Sequence, residues 1–390
     1  MKVCDLTQFY SPVSGGVRRY IEQKSAYIRK HRQDCQHVII VPGATTEQSG
    51  DDVVRTYTIA SPLVSRTSRY RALTRLHLIE EALEKERPDI IESGDPYQVA
   101  WKAVASGRGL DIPVVGFYHS HFPESYIRTV EKFFGPLSVT ITEELCRRYV
   151  TALYNHFECS FVPSPVLART LSMWGVERLE AVDLGVDADV FVPTPDDALL
   201  TRAALGIPGG ARLLLYVGRL APEKNLRTLL AAFRQLHAAM PGKYHLLCVG
   251  DGTQRASVMD LREATGVVTW TPYCSDPAEL SAIYRASDVF VHPGVQETFG
   301  LVALESQASG TCVVGIRGSY MDRIIFNDQQ HWARENSPNA LAEAIDAIFA
   351  LDLREAGLQA SEQARSRYSW RTVFDRLFAA YERVIANYSA

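Results

Sequence analysis

Long apolar runs are missing from this sequence: nowhere do about 18 apolar residues follow one another, which excludes a membrane-spanning helix. The start, Met1-Lys2-Val3-Cys4-Asp5-Leu6, enters a strand-like run directly, without the charged and apolar regions of a signal peptide. A cytoplasmic location is therefore expected. An excess of one charge is also missing, since 41 basic against 45 acidic residues leave a net charge of −4. No overall attraction to nucleic acid follows, and any charged partner must be met locally. The seven cysteines, Cys4, Cys35, Cys146, Cys159, Cys248, Cys274 and Cys312, have no pair at metal-ligand spacing, and several lie in apolar strand-like runs. Reduced, buried thiols are expected. Repeats of solenoid length and low-complexity tracts are absent as well.

At 390 residues, 46% hydrophobic and 22% charged, the length favours two domains over one. Short β-branched runs at residues 2–6, 37–41, 89–92, 113–118 and 159–162 alternate with helical patterns, and the series restarts at 212–217, 245–249, 267–269, 288–291 and 311–315. Such alternation predicts βαβ units, and two doubly wound parallel sheets are the simplest account. Between the halves, Val192-Pro193-Thr194-Pro195-Asp196-Asp197 reads as a linker, with a boundary near residue 190. From Tyr368 to Tyr388, Val373, Leu377, Tyr381 and Ile385 recur at four-residue spacing, predicting an amphipathic helix.

Ligands of open α/β sheets bind outside the carboxyl ends of the strands. Two carboxylates, Glu297 and Glu305, flank such an exit: Glu297 follows the strand-like run at 288–291, and Glu305 falls in a helix expected between Gly300 and Gly310. The first amides of that helix would offer N–H groups and a positive dipole end to a phosphate. Arg219 and Lys224 follow another strand beside Gly218, a pairing that suits a diphosphate. Gly250-Asp251-Gly252 is a tight turn after the next strand, where Asp251 has a turn former's place. In the first half, Gly15-Gly16 precedes a helix, and bare backbone of this kind approaches phosphates and sugars closely. Three-glycine dinucleotide spacing is absent there, which disfavours a nicotinamide-dependent dehydrogenase. His119 and His121 close a strand without an adjacent third ligand, so hydrogen bonding to a polar sugar fits them better than a metal. Asp187-Ala188-Asp189 has the form of a divalent-metal motif but sits at the linker.

Taken together, Gly15-Gly16, His119, Gly218-Arg219-Leu220 with Lys224-Asn225, Gly250-Asp251-Gly252 and the Glu297-to-Glu305 segment resemble, in order and spacing, the family-4 retaining glycosyltransferases of the GT-B fold. The resemblance covers essentially the whole chain. It implies two Rossmann-like domains facing a central cleft: residues 1–190, joined by a crossover helix at about 368–390, for the acceptor, and 191–367 for the donor. It further implies that Glu305 binds the ribose of a nucleotide sugar, and that Glu297 with the amides of Phe299, Gly300 and Leu301 holds sugar and diphosphate. Arg219 and Lys224 would neutralise the diphosphate, Gly16 would approach it, His119 would contact the donor sugar, and Tyr273 would lie near the base. No cofactor beyond the nucleotide-sugar co-substrate is implied, and no metal.

The acceptor is less determined. Residues 65–75 carry Arg66, Arg69, Arg71 and Arg75 beside Tyr70, and Phe122 to Phe134 adds apolar residues next to His119. Basic plus apolar surface suits the inner face of an anionic membrane and a lipid acceptor. A core-facing helix with solvated arginines, or a soluble anionic acceptor, accounts for the same residues. A sugar-nucleotide 2-epimerase and a non-catalytic nucleotide-sugar-binding protein are the alternatives in function.

Overall fold

The computed structural model describes residues 1–11, 16–64, 69–119, 136–194, 198–295 and 299–389. The chain divides into two compact units, Met1–Leu184 with Val373–Ala390, and Gly185–Thr372. From the sequence the division was expected near residue 190 and the return near 368. Local pairing accounts for the difference. The Val186 N–H donates to the Tyr368 carbonyl at 2.7 Å, Val186 bridges Ser369, and Phe191 packs edge-on against Tyr284. Residues from Gly185 to Phe191 are thereby part of the second unit's own packing. Of the expected linker, Pro195, Asp196 and Asp197 lie outside the described residues.

The first unit runs β1 (Lys2–Leu6), α1 (Gly16–His31), β2 (Gln36–Gly43), β3 (Glu47–Gly50), β4 (Val54–Ala60), α2 (Leu76–Glu86) and β5 (Ile90–Ser93). It continues with α3 (Gln98–Leu110), β6 (Val114–Phe117), α4 (Pro136–Tyr154), β7 (Cys159–Val162), α5 (Pro165–Met173) and β8 (Leu179–Ala181). Strand order is β3-β4-β2-β1-β5-β6-β7-β8, parallel except for the β3–β4 edge. The central strands are apolar nearly throughout because helices cover both faces; β2 is buried from His37 to Pro42. The edge strands β3 and β8, and β4 between β3 and β2, were not expected. β3 is polar and exposed at every position, and β8 is only three residues long, so neither carries an apolar period.

The second unit runs α6 (Ala198–Ala204), β9 (Arg212–Val217), a 3₁₀ turn (Pro222–Lys224), α7 (Leu226–Ala239), β10 (Tyr244–Val249), α8 (Arg255–Thr265), β11 (Val268–Thr271) and α9 (Pro277–Ala286). After β12 (Val289–Val291) come α10 (Leu301–Ala308), β13 (Cys312–Val314), a 3₁₀ turn at Tyr320–Arg323, α11 (Pro338–Ala347) and α12 (Leu353–Tyr368). Its five strands are parallel in the order β11-β10-β9-β12-β13. Leu229, Leu230 and Phe233 of α7 share one core with Leu341 and Ile345 of α11.

The last helix, α13 (Trp370–Tyr388), rejoins the first unit at Val373 and buries Val373, Phe374, Leu377, Phe378 and Tyr381 in it. This is the apolar line the four-residue spacing marked, except that Ile385 stays partly exposed. All seven cysteines are free; five are buried as expected, whereas Cys146 and Cys274 are only partly so. No described helix is long and apolar enough to cross a membrane.

Candidate active site

In each sheet the chain reverses its direction of growth at one place, and strand exits flanking such a point form the natural ligand crevice. In the second unit this point lies between β9 and β12. The β9 exit carries Gly218, Arg219 and Lys224; the β12 exit leads through His292 and Pro293 toward α10. Asn225 joins the two. It takes a left-handed conformation (φ 55°), and its amide Nδ2 donates to the Pro293 carbonyl and to Asn336 Oδ1, each at 2.8 Å. Arg219 is exposed, 3.4 Å from Glu223, while Lys224 closes the 3₁₀ turn and is partly buried. Both cations thus sit on one short loop at the reversal point.

Glu297 lies outside the described residues. Phe299 is buried, with the Arg323 guanidinium 5.0 Å from its ring centroid. Gly300 caps α10 with φ 85°, and a Cβ there would lie 2.3 Å from Met321 Cε, so both backbone and packing require glycine. Leu301 opens α10, and Glu305 stands in its second turn, only 3% exposed, accepting a hydrogen bond from the Tyr284 hydroxyl at 3.3 Å. A carboxylate this buried beside the reversal point is not an ordinary solvated helix residue.

Asp251 is exposed and 3.7 Å from Arg255. Its carbonyl accepts from the Leu220 N–H at 2.9 Å, which locks the β10 exit onto the β9 loop. Tyr273, beyond β11, is 53% exposed and available to stack on a flat ligand. The Asp187 carboxylate accepts from the backbone N–H groups of Asp189 and Val190, a turn-forming arrangement. Among the described residues no group of carboxylate, histidine or cysteine side chains is arranged to hold a metal ion.

In the first unit the reversal point lies between β1 and β5. Gly15 and His121 lie outside the described residues; Gly16 is the exposed first residue of α1. His119 follows β6, with Phe117 stacked on its ring at 4.2 Å and Tyr20 edge-on at 4.8 Å. Burial, followed by the charge of Lys24, holds its pKa well below the ordinary histidine value, so the imidazole is neutral. The exit of β5, which drew no attention in the sequence, proves central. Gly94 lies against both Thr7 and His119, and the buried Asp95 carboxylate accepts from the Gln8 N–H at 2.7 Å and the Tyr97 N–H at 3.2 Å. Ser93-Gly94-Asp95-Pro96 at a strand end was the available signal.

These exits frame a cavity of about 420 Å³ lined by Gln8, Phe9, Tyr70, Arg71, Tyr97 and Gln98, with Val64 at its edge. Phe9 meets Tyr70 and Tyr97 edge-on at 5.3 and 5.4 Å. Arg66 lies outside the described residues, as do Phe122 to Phe134. Residues 69–75 are not the core-facing helix that the arginine pattern allowed: Arg69 is left-handed (φ 52°), Arg71 donates to the Ser61 carbonyl at 2.7 Å, and Arg75 immediately precedes α2.

Residues 14–190 match the model for glycosyltransferase family 4, and residues 198–367 match that for glycosyl transferases group 1. The chain belongs to the family-4 glycosyltransferases. This glycosyltransferase is 34% identical over 221 residues to the D-inositol 3-phosphate glycosyltransferase of Segniliparus rotundus, a match that covers 54% of this chain and about half, 48%, of that relative. It is 29% identical over 359 residues to the GDP-mannose-dependent alpha-(1-6)-phosphatidylinositol dimannoside mannosyltransferase of Mycobacterium tuberculosis, covering 90% of this chain and 88% of that one. Among solved structures it resembles sucrose-phosphate synthase from Thermosynechococcus elongatus (TM-score 0.75, 22% identity, 99% of each chain) and Anabaena HepE in complex with UDP (TM-score 0.73, 15% identity, 98% of this chain and 100% of that one). These likenesses show the GT-B fold, with one Rossmann-like sheet in each unit.

Proposed function

We propose that this glycosyltransferase moves a hexosyl group from a UDP- or GDP-sugar to an acceptor hydroxyl, with retention at the anomeric carbon. The acceptor oxygen bonds to that carbon as the bond to the diphosphate breaks; the electron pair leaves with the diphosphate, whose oxygen takes the proton of the acceptor hydroxyl. Arg219 and Lys224 oppose the charge that develops on the leaving group, a role that preorganised cations perform without a metal. The amides of Phe299, Gly300 and Leu301 receive phosphate oxygens, Glu305 the ribose hydroxyls, and Glu297 the sugar and phosphate; Gly15, Gly16, Asp251 and Tyr273 complete the donor contacts. His119 offers a neutral imidazole to a sugar hydroxyl.

One observation carries this reading: Asn225 ties the Arg219–Lys224 loop to the segment that leads into α10. The names of relatives support the choice of donor, since one uses GDP-mannose and a structural neighbour is complexed with UDP. For the acceptor, the aromatic walls of the first-unit cavity fit the faces of a hydroxylated ring, and Arg71 fits an anionic group on it. Exposed Val64, which lines the cavity, and the exposed neighbouring Leu63 favour a glycan precursor carried on a lipid, met at the membrane surface.

A thermal-unfolding screen with UDP-glucose and GDP-mannose tests the donor. A ligand at a hundred times its Kd stabilises by about 2.7 kcal/mol, and Glu305→Ala is expected to lose that shift. Absence of a shift with any UDP- or GDP-sugar would sink the proposal, and an epimerised sugar nucleotide recovered without acceptor would replace it.

A further inference from the structure

Next to His119 the first unit buries a cluster of charges that binding of donor and acceptor leaves without a part. Lys24 of α1 is fully buried, and its ammonium donates to Asp5 Oδ1 at 2.8 Å, to Glu92 Oε1 at 3.1 Å and to the Tyr381 hydroxyl oxygen at 2.9 Å. All three of its N–H groups are engaged. The Tyr381 hydroxyl donates to Glu92 Oε2, and the Tyr20 hydroxyl reaches the same oxygen at 3.2 Å. His37 Nε2 lies 2.6 Å from Asp5 Oδ2. One cation therefore ties together the adjacent strands β1 and β5, helix α1 and the C-terminal helix α13.

Adhesion alone does not account for such a cluster, because well-packed apolar side chains of the same volume hold elements together as well or better. Its position supplies a second role. The Lys24 ammonium is 4.4 Å from the centroid of the Tyr20 ring, and Tyr20 in turn meets the His119 imidazole at 4.8 Å. Phe374 of α13 touches the same tyrosine at 5.6 Å. Burial, with Phe117 and Tyr20 against the ring, and then the Lys24 charge set the state of the His119 imidazole. A protonated imidazole would oppose the positive charge that develops on the anomeric carbon as the diphosphate leaves.

We propose that Lys24 and Tyr381 are positioning residues for His119: they lock Tyr20 against the imidazole and keep it an uncharged hydrogen-bonding group, so that the site depends on the seating of the C-terminal helix. The inference rests on the reading of His119 as the group that meets the sugar. Burial and then the Lys24 charge push the His119 pKa down while Asp5 opposes them, and Lys24 likewise lowers the pKa of Glu92, which burial raises.

The test is a histidine-ring NMR titration of the full chain, with His119 assigned through His119→Gln, alongside transfer kinetics. In the wild type the His119 signal is expected to stay unprotonated from about pH 8 down to about pH 5. Lys24→Met should raise the His119 midpoint by about one pH unit or more, with the acid limb of kcat moving up alongside it. Tyr381→Phe, which keeps the ring packing, should shift the His119 signals and lower kcat about tenfold, with donor KM within about twofold. A wild-type midpoint near the ordinary histidine value would overturn the proposal, as would a folded Lys24→Met with an unmoved His119 titration. Should Lys24→Met not fold, wild-type His119 signals and kcat in Tyr381→Phe overturn it. Failure of the underlying reading is distinguishable: His119→Ala would then transfer sugar at the wild-type rate.

Discussion

Gly250 crosses Gly218 so closely that a Cβ on Gly250 would lie 2.1 Å from the Gly218 carbonyl oxygen. The Gly250 backbone is also left-handed, with φ 136°. Turn and close approach together seat the β10 exit on the loop that carries Arg219, which gives the glycine-aspartate-glycine turn a part in the site independent of any ligand contact by Asp251.

Gly250→Ala is therefore expected to destabilise the second unit by about 3 kcal/mol or more, from backbone strain and overlap combined. Hydrogen exchange of β9 and β10 reads this directly. Protection equal to the wild type in both strands would mean the turn yields more easily than the contact implies.

Arg219 is exposed on its loop. Arg219→Ala should leave unfolding within about 0.5 kcal/mol of the wild type. Its transfer rate should nevertheless fall about a hundredfold, with Lys224→Ala behaving alike. Unchanged kcat in both variants would remove the diphosphate from this loop.

Asp95 links the protein's stability to pH. Burial raises its pKa from 3.8 to about 6 even though it accepts two backbone N–H groups. Between those values the folded chain keeps a proton that the unfolded chain releases, so stability falls as pH rises, on the order of 3 kcal/mol across the window. Asp95→Asn should flatten that fall in urea unfolding of the first unit. An identical slope in both proteins would show that the carboxylate titrates normally.

Leu377 is fully buried where α13 packs into the first unit. Leu377→Ala should cost about 2–5 kcal/mol. Faster exchange in β1 and β5, with β9 and β12 unchanged, is the expected signature; loss confined to the second unit would contradict the contact pattern.

Membrane contact has its own measurement. Arg69→Ser with Arg71→Ser should weaken co-sedimentation with anionic vesicles, each lost cation near the surface being worth about 1 kcal/mol. Equal binding by the double variant would leave the lipid acceptor without this support.

Residue order alone determined that the chain builds two parallel-sheet units, because apolar strand runs alternating with amphipathic helices leave few other ways to bury both faces of a sheet. It also marked the Arg219–Lys224 loop, His119 and Glu305 as candidates, since each follows a strand or opens a helix, and those places are read from local pattern. Tertiary structure decided what local pattern does not encode. Strands β3 and β8 are edges, each held by one neighbour, and β4 is held between β2 and β3; none is set by an apolar period of full length. Lys24, the partner of Asp5 and Glu92, also meets Tyr381, 357 residues further along the chain, and nothing near Lys24 announces it. Asn225 and Asp95 acquired their roles in the same way, by the meeting of strand exits distant in sequence. Periodicity acts over one turn or one strand, whereas the pairing of a buried charge is settled only when the sheet order brings its partners together.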